Sequence, residues 1–395
     1  MENNSVKKEG LLFVSDEQYN KLRTGKLQKN DFVFCLRGSL GKHCKYNYDT
    51  GAIASSLVIL RKIGEILDDY ISLYLDSPLI TQEINSTNNG TAQPNLGARD
   101  VMEYLIPVPP LQEQCKIVKK IENLISNINQ IEKSFGIINA NKKILKAKII
   151  DLAIKGKLTQ QLSTDEPSSK LIEKIVDEKH KLMKEGKIKK ENLSIIYKDA
   201  DNQFYEKFDD GKSINITNSI PFKLPENWRW TRLNALLSVK GGKRIPKGSS
   251  FSKNITKHIY IRVSDMKNNT ITKQDIKYIS DDVFEKIKNY TISKKDLYLT
   301  IAGTIGKVGI VPDFFDNMNL TENAVKLTNI EPIEKKYLMY CINSDFVQSQ
   351  FTDKTTQVAQ PKLAIKRIET TLIPLPPLEE QKRMVFQLQQ LLNIL

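Results

Sequence analysis

The sequence predicts an α+β protein of two mixed α/β domains, the first shortened on its N-terminal side. A long coiled-coil-type helix joins them, and a second, short helix follows. Three observations lead there. First, a run without proline from Leu111 to beyond Leu152 carries apolar side chains at Ile117, Ile121, Leu124, Ile128, Ile131, Phe135, Ile138, Leu145, Ile149 and Leu152. With Lys142 filling one slot, the steps alternate between four and three, which is the seam of a coiled coil. Second, the stretch that opens this run, Ile106-Pro107-Val108-Pro109-Pro110-Leu111-Gln112-Glu113-Gln114, returns 267 residues later as Ile373-Pro374-Leu375-Pro376-Pro377-Leu378-Glu379-Glu380-Gln381. Its seam restarts in the same register at Met384, Leu388, Leu391 and Leu395, so this is an internal repeat. Third, the piece before the helix repeats as well. Asp31-Phe32-Val33-Phe34 and Gly38-Ser39-Leu40-Gly41-Lys42 match Asp296-Leu297-Tyr298-Leu299 and Gly303-Thr304-Ile305-Gly306-Lys307 at an offset of 265. Ala92-Gln93-Pro94-Asn95-Leu96 matches Ala359-Gln360-Pro361-Lys362-Leu363 at 267.

Taken in order, residues 1–110 form the first domain. Asp16 to Arg23 reads as a short helix, Asp31 to Leu36 and Ser55 to Arg61 as strands, and Gly38 to Gly41 as a tight turn. Ile66 to Leu79 has helical periodicity, and Asn85 to Leu96 is a polar loop. Residues 111–162 hold the long helix, which Gly156 stops. Its 45 residues span roughly 67 Å, with Gly136 as a weak point that costs about 1 kcal/mol relative to alanine and marks a candidate bend. Residues 163–222 read as a charged connector on the surface, with a helix from Ser168 to Glu185 and a polar segment to Ser219. Residues 223–377 form the second domain, with Trp228 and Trp230 in its core, and residues 378–395 begin the second helix, roughly 27 Å long. Met1 falls opposite Met266, so the first copy lacks a counterpart of residues 225–265, and the second lacks most of the long helix. The uncovered seam is expected to present an apolar stripe to another chain.

Composition narrows the function. A chain of 395 residues, 40% apolar, has room for more than one core, and no apolar run is long enough to span a bilayer. The N-terminus lacks a signal-peptide core, so a cytoplasmic protein without membrane contact is expected. The four cysteines have no paired spacing, and the cluster of Cys35, His43 and Cys44 lacks a fourth ligand, so reduced thiols and no metal are expected. The net charge of +14 is concentrated: residues 225–295 hold sixteen Lys or Arg against six Asp or Glu, and none of the six lies between Asn227 and Ser264. A solvated face normally mixes signs, so this excess points to a polyanion, with nucleic acid first.

Catalytic motifs are missing from the pattern. The glycines of Gly38 to Lys42 and Gly303 to Lys307 stand too close for a phosphate loop. The three histidines adjoin no nucleophile motif. Pro312-Asp313 with Glu334-Lys335-Lys336 is a faint likeness of a nuclease metal site, a spacing that chance supplies in a chain with 27% charged residues. Neither the Asn/Asp/Ser-Pro-Pro-Tyr/Phe tetrapeptide nor the glycine-rich loop of an amino-methyltransferase is present. The chain is expected to bind and not to react.

Two globular pieces, each ending in the proline-rich opening of a long helix, resemble the specificity subunit of type I restriction-modification systems over nearly all of the chain. The resemblance rests on Ile106 to Gln114 and Ile373 to Gln381. It rests also on the run from Leu145 to Leu158 closing the first helix, and on Leu224-Pro225-Glu226-Asn227-Trp228-Arg229-Trp230 opening the second globular piece. It implies a non-catalytic subunit with two target recognition domains, each reading half of a bipartite site in double-stranded DNA. The helices would pair antiparallel, set the half-site separation and dock methyltransferase subunits that modify adenine N6. S-adenosylmethionine, ATP and magnesium are implied on partner subunits, and none in this chain. A restriction subunit and a second specificity chain or fragment are further candidate partners. The alternative is a truncated paralogue, a regulatory or recombination-donor subunit that binds methyltransferase without supporting full modification. An autonomous nuclease is a third reading.

For DNA contact the candidates are Lys240, Lys243, Arg244, Lys247 and Arg262, where Gly241, Gly242 and Gly248 would let the backbone approach DNA closely. Lys42 and Lys307, at equivalent turns of the two copies, join them. Subunit docking and spacing fall to the seam residues named above, with Leu388 and Leu391.

Overall fold

The repeat in the sequence is also a repeat of hydrogen bonds. The computed structural model describes residues 6, 9, 11–87, 94–330, 332–352 and 362–395. The chain divides into unit 1, Met1–Ile137, and unit 2, Ile138–Leu395.

In unit 1, α1 (Asp16–Lys21) opens with a capping box in which Ser15 and Gln18 each satisfy the other's backbone amide. There follow β1 (Lys26–Gln28), β2 (Phe32–Cys35), β3 (His43–Lys45), β4 (Thr50–Ala52) and β5 (Leu57–Leu60). Next come α2 (Asp68–Leu75), α3 (Pro78–Thr87), α4 (Ala98–Met102) and α5 (Leu111–Ile154). The sheet runs β3-β2-β5, all antiparallel, and Phe32, Phe34 and Leu36 pack against Ile71, Leu75 and Ile80. The helix expected over Ile66 to Leu79 is therefore two helices. Pro78 has no amide to give and pushes the residue before it out of helical conformation, so it starts α3 instead of continuing α2. The expected polar loop begins inside α3, and its positions 88–93 lie outside the described residues.

Unit 2 carries α6 (Ser168–Lys184), then β6 (Ser194–Lys198), β7 (Phe204–Phe208) and β8 (Ser213–Asn215) as one antiparallel sheet. After β9 (Arg229–Arg232), α7 (Leu233–Leu236) and β10 (Leu237–Gly241) come β11 (Tyr260–Ile261), β12 (Met266–Lys267), β13 (Thr270–Ile271) and α8 (Asp281–Ile287). The chain continues through β14 (Thr291–Ile292), β15 (Leu297–Thr300), β16 (Val308–Ile310), β17 (Met318–Leu320) and β18 (Ala324–Asn329). It closes with α9 (Lys335–Ile342), α10 (Asp345–Phe351), α11 (Ile365–Glu369), β19 (Leu372–Leu375) and α12 (Leu378–Ile394). The central sheet is β10-β18-β15-β16, and β9 pairs with β19. Trp228 and Trp230 are buried, as expected of tryptophans at the start of a domain.

The segment 163–222 is not the surface connector that its charge suggests. Leu171, Ile172, Ile175 and Val176 of α6 belong to the main core of unit 2, together with Trp228, Leu233 and Leu236. On the same face Lys179 is fully buried, its ammonium bonded to Glu191 at 2.8 Å and to the carbonyls of Asn234 and Leu237. The helix is amphipathic, so its many charges sit on one side and say little about the other.

Many hydrogen bonds recur in the two repeats. Phe32 stands opposite Leu60 as Leu297 stands opposite Leu327. The amides of Cys35 and Thr300 donate to Lys42 and Lys307, each at 2.9 Å, closing the same turn. Leu96 donates to the carbonyl of Leu36 at 2.9 Å, and Leu363 to that of Ile301 at 2.8 Å. Of the matched loop itself, Ala92, Gln93 and 359–361 lie outside the described residues. Tyr70 donates to Pro107 and Tyr337 to Pro374, both at 2.7 Å. One buried site diverges. Asp31 binds Arg61 through two bonds of 2.7 Å, whereas Asp296 receives Thr328 at 2.6 Å. Burial alone would raise the pKa of Asp31, and the Arg61 guanidinium with the Gln28 amide more than offsets it, so the carboxyl lies below its ordinary range.

Gln114 and Gln381 anchor the helices. Gln114 donates to Pro109 at 2.9 Å and accepts from Leu67 at 2.9 Å, while Gln381 donates to Pro376 at 2.9 Å and accepts from Glu334 at 3.0 Å. Both are almost fully buried. Replacing either by leucine leaves two backbone groups without these partners, through bonds that are partly buried at Gln114 and include one fully buried at Gln381, so Gln114→Leu and Gln381→Leu are each expected to cost about 1–3 kcal/mol. Urea unfolding of the two variants checks this, and an unchanged midpoint in both would show that the amides are dispensable.

Candidate nucleic-acid interface and spacer helix

In unit 2 the backbone gathers several candidate cations at one end of the central sheet. The Gly242 amide donates to Ala324 at 3.0 Å and that of Lys243 to Leu320 at 2.9 Å, while Ile301 and Ala302 both donate to Asn323. Residues 242–244, residues 320–324 and the turn carrying Lys307 therefore meet there. The Lys243 ammonium lies 5.5 Å from the centre of the Tyr290 ring, and the Lys307 side chain is exposed. Lys362, which the sequence reading passed over, reaches the carbonyl of Glu322 at 3.4 Å and belongs to the same end. Its signal was its place two residues beyond a repeated Gln-Pro pair's start, at the far side of the matched loop.

Arg244 is exposed yet tethered, with its Nε 2.7 Å from a Glu322 carboxylate oxygen. Burial would raise the pKa of Glu322, and the Arg244 guanidinium and the Thr321 hydroxyl outweigh it, so the carboxylate stays ionised at neutral pH. Burial pushes the Tyr260 phenol up to about 12, so it remains protonated and donates to the Lys243 carbonyl at 2.9 Å and to Glu322 at 3.3 Å. This small network aims Lys243 and Arg244 outward from a fixed backbone.

Three expectations change here. Arg262 is occupied: its Nη2 lies 2.7 Å from Asp265, 3.3 Å from the Asp275 carboxylate and 2.7 Å from the Asp275 carbonyl. It ties a turn together instead of facing phosphate, because the fold brings in the first acids beyond the acid-free stretch. Gly242 serves the chain's own packing, since a Cβ there would sit 2.1 Å from the Thr321 carbonyl oxygen. Gly248, with φ of +85° and open space around it, is needed for its backbone conformation. Lys240, exposed near the end of β10 opposite Lys326, lines a pocket of about 290 Å³ with Asp296, Thr291 and Ser293, and Lys247 is exposed in the loop after β10.

In unit 1 the exposed Lys42 sits on the turn equivalent to that of Lys307. Beside it Arg37, another residue the sequence reading passed over, donates to Asn95 at 3.2 Å.

The long helix α5 is continuous through Gly136. Gly156, at φ +66°, closes it as expected, with its amide on Ala153 and that of Lys157 on Leu152. The seam divides by position. Ile117 and Ile121 are half-buried, and Leu124, Ile128, Ile131, Phe135, Ile138 and Leu145 are each 45–61% exposed. Ile149 and Leu388 are buried in the core of unit 2 and are not open docking positions, while Leu152 is half-buried. Leu391 is 37% exposed. Of the nuclease-like residues, Asp313 pairs with Lys294 at 3.2 Å and Glu334 caps α9 through the Lys336 amide. Among the described residues, no group of three or more His, Cys, Asp or Glu is placed to hold a metal ion, and no helix is long and apolar enough to cross a membrane.

The two kinds of arginine predict different behaviour. In a gel shift, the double variant Lys243→Ala/Arg244→Ala is expected to weaken DNA binding and lower the slope of log affinity against log salt by about 2. Arg262→Ala is expected to lower the melting temperature with little change in that slope. An unchanged slope in the double variant would remove this end of the sheet from the interface.

Comparison with known proteins gives one family. The family described as "Type I restriction modification DNA specificity domain" matches residues 2–152 and again residues 225–395. The specificity subunit of the type I restriction enzyme EcoAI from Escherichia coli is 24% identical over 391 residues, covering 87% of this chain and 63% of the relative. The chain thus spans less than two thirds of that relative's length. The specificity subunit of MjaVIII from Methanocaldococcus jannaschii is 25% identical over 383 residues, covering 93% of this chain and 74% of the relative. A solved chain from work on complex assembly and conformational transition of the type I R-M system superposes with a TM-score of 0.62 at 17% identity, over 93% of this chain and 75% of that one. That likeness concerns the fold.

Proposed function

This chain belongs to the type I restriction-modification DNA specificity family, and we propose that it is the non-catalytic subunit by which such a complex reads a bipartite site in double-stranded DNA. The observation that carries the reading is the recurrence of the same backbone hydrogen bonds in two copies of one unit, with the exposed Lys42 and Lys307 on the same closed turn. Two copies of one reader suit two half-sites. Lysines and Arg244 position the phosphate backbone, and the neighbouring loops read base edges in the groove.

In this reading α5 is the stiff element between the two copies in the chain, 44 residues or about 66 Å long. Its exposed seam from Leu124 to Leu145 is the docking stripe for methyltransferase subunits. Methyl transfer to adenine N6 then uses S-adenosylmethionine held by those partners, and ATP and magnesium serve a restriction subunit. The chain acts in the cytoplasm, where its DNA is. The regulatory or recombination-donor reading differs in one consequence, since such a chain binds methyltransferase yet leaves DNA unmodified.

Methylome sequencing of cells with and without the gene tests this. The expected outcome is a bipartite adenine motif present only with the gene. Inserting one heptad between Ile131 and Phe135 is expected to lengthen the helix by about 10 Å and widen the motif's gap by about three base pairs. If methyltransferase co-purified with the chain but no motif appeared, the regulatory reading would replace this one.

A further inference from the structure

The central sheet of unit 2 has one apolar and one polar face. Leu237, Val239, Leu297, Leu299, Val325 and Leu327 pack with the main core. On the other face Ser238 stands opposite Thr328, and Lys240 stands opposite Lys326 in antiparallel register. Like charges directly opposite each other destabilise a strand pair, so this pair is stabilised by any counter-charge placed between its ends. The two lysines line a recess of about 290 Å³ with Asp296, Ser238 and Thr291, together with the apolar Leu182 and Ile188.

Asp296 supplies that counter-charge only in part. It is 2% exposed, and its two oxygens already accept from the Thr328 hydroxyl at 2.6 Å and the Ser293 amide at 2.8 Å. Lys326 is half-buried and donates to the Thr291 carbonyl at 2.7 Å, which leaves two of an ammonium's three donors for the recess. Burial holds its pKa below the ordinary lysine value, against the pull of Asp296, and the Lys240 charge lowers it further. The first repeat has a different arrangement at these positions. Arg61, at the position of Thr328, closes on Asp31 through two bonds of 2.7 Å, and Ile59 takes the position of Lys326. The framework therefore does not need the lysine pair, and the shorter Thr328 leaves room where the first repeat has a guanidinium.

We propose that this recess of unit 2 binds a dianionic phosphate, as inorganic phosphate or a phosphomonoester, between the Lys240 and Lys326 ammonium groups, with the Ser238 and Thr291 hydroxyls as further donors. A dianion matches two compact ammonium charges, and about 290 Å³ admits a phosphate with part of the group esterified to it. A phosphodiester of duplex DNA carries a single charge and is bridged on both sides, so it has no free terminal group to turn into a recess. The site is thus distinct from the DNA contacts of Lys243 and Arg244, and it does not rest on the DNA reading. Lys240 then serves this recess instead of the duplex. An arginine in place of Thr328 would repeat the ion pair of Asp31 with Arg61 and fill the space.

The probes are inorganic phosphate, adenosine monophosphate and dimethyl phosphate, titrated calorimetrically into the full chain at constant ionic strength. Saturable binding of one phosphate or one monophosphate per chain is expected, with a melting temperature that rises as the site fills. Dimethyl phosphate, a monoanion, is expected not to saturate. Tighter binding of the monophosphate identifies a phosphomonoester as the ligand, and the reverse order identifies inorganic phosphate. Lys240→Gln and Thr328→Arg are each expected to weaken phosphate binding about tenfold or more, while Lys243→Ala/Arg244→Ala leaves it unchanged. Without phosphate, Lys240→Gln is expected to melt no lower than the parent chain, because a repulsion is removed, so its loss of binding is not a loss of folding. Absence of saturable phosphate binding would overturn the proposal, as would binding that survives Lys240→Gln or is lost with Lys243 and Arg244. Equal binding of dimethyl phosphate would do so too, because the site would then not select a dianion.

Discussion

A helix can set a distance only if its first turn is fixed to the body it leaves. Gln114 and Gln381 do this in the two repeats. Each side-chain amide holds the carbonyl of the motif's second proline-flanked turn, and each side-chain carbonyl holds the amide that starts a neighbouring helix. With both functions of each buried amide satisfied, rotating the helix about its first turn breaks two hydrogen bonds at once. The two prolines before it restrict the backbone further. The anchoring fixes the direction in which each helix leaves its own proline-rich turn.

Stiffness of that kind has a counterpart in the charges. A long lysine on a solvated strand samples many positions, and its contribution to recognition is diffuse. Lys243 and Arg244 instead leave a backbone held by Leu320, Ala324 and the Tyr260 phenol, with Arg244 further tethered to Glu322. Such a tether lowers the cost of ordering the side chain on an anion, at the expense of competing with it. Arg262 shows the limit of the same arrangement: with Asp265 and Asp275 both engaged, the guanidinium is satisfied within the chain.

The two repeats differ most where one has a covering segment. In unit 2, β9, α7 and β10 turn an edge strand and a proline-containing strand into interior, while Trp228, Thr159 and Gln161 cover Glu380. In unit 1 the same framework keeps its turns, its register and its anchor glutamine while Leu105, Phe13 and Glu113 face outward. The framework therefore stands on the β3-β2-β5 core and its helices, and the covering layer adds burial without setting the register.

What the sequence determined by itself was everything carried by spacing. The duplication, the seam, the stop at Gly156, the equivalent turns and the family follow from residues that recur at fixed intervals, because helical period, turn glycines and motif order are local properties of the chain. Pairings between residues far apart in sequence were decided only by tertiary structure. Asp265 lies just beyond an acid-free run and still neutralises Arg262, Thr321 forces a glycine at 242, and the apolar face of α6 enters a core that its charge count conceals. Composition averages over a helix's two faces and over a loop's neighbours, and the fold chooses between them by which surface it removes from water.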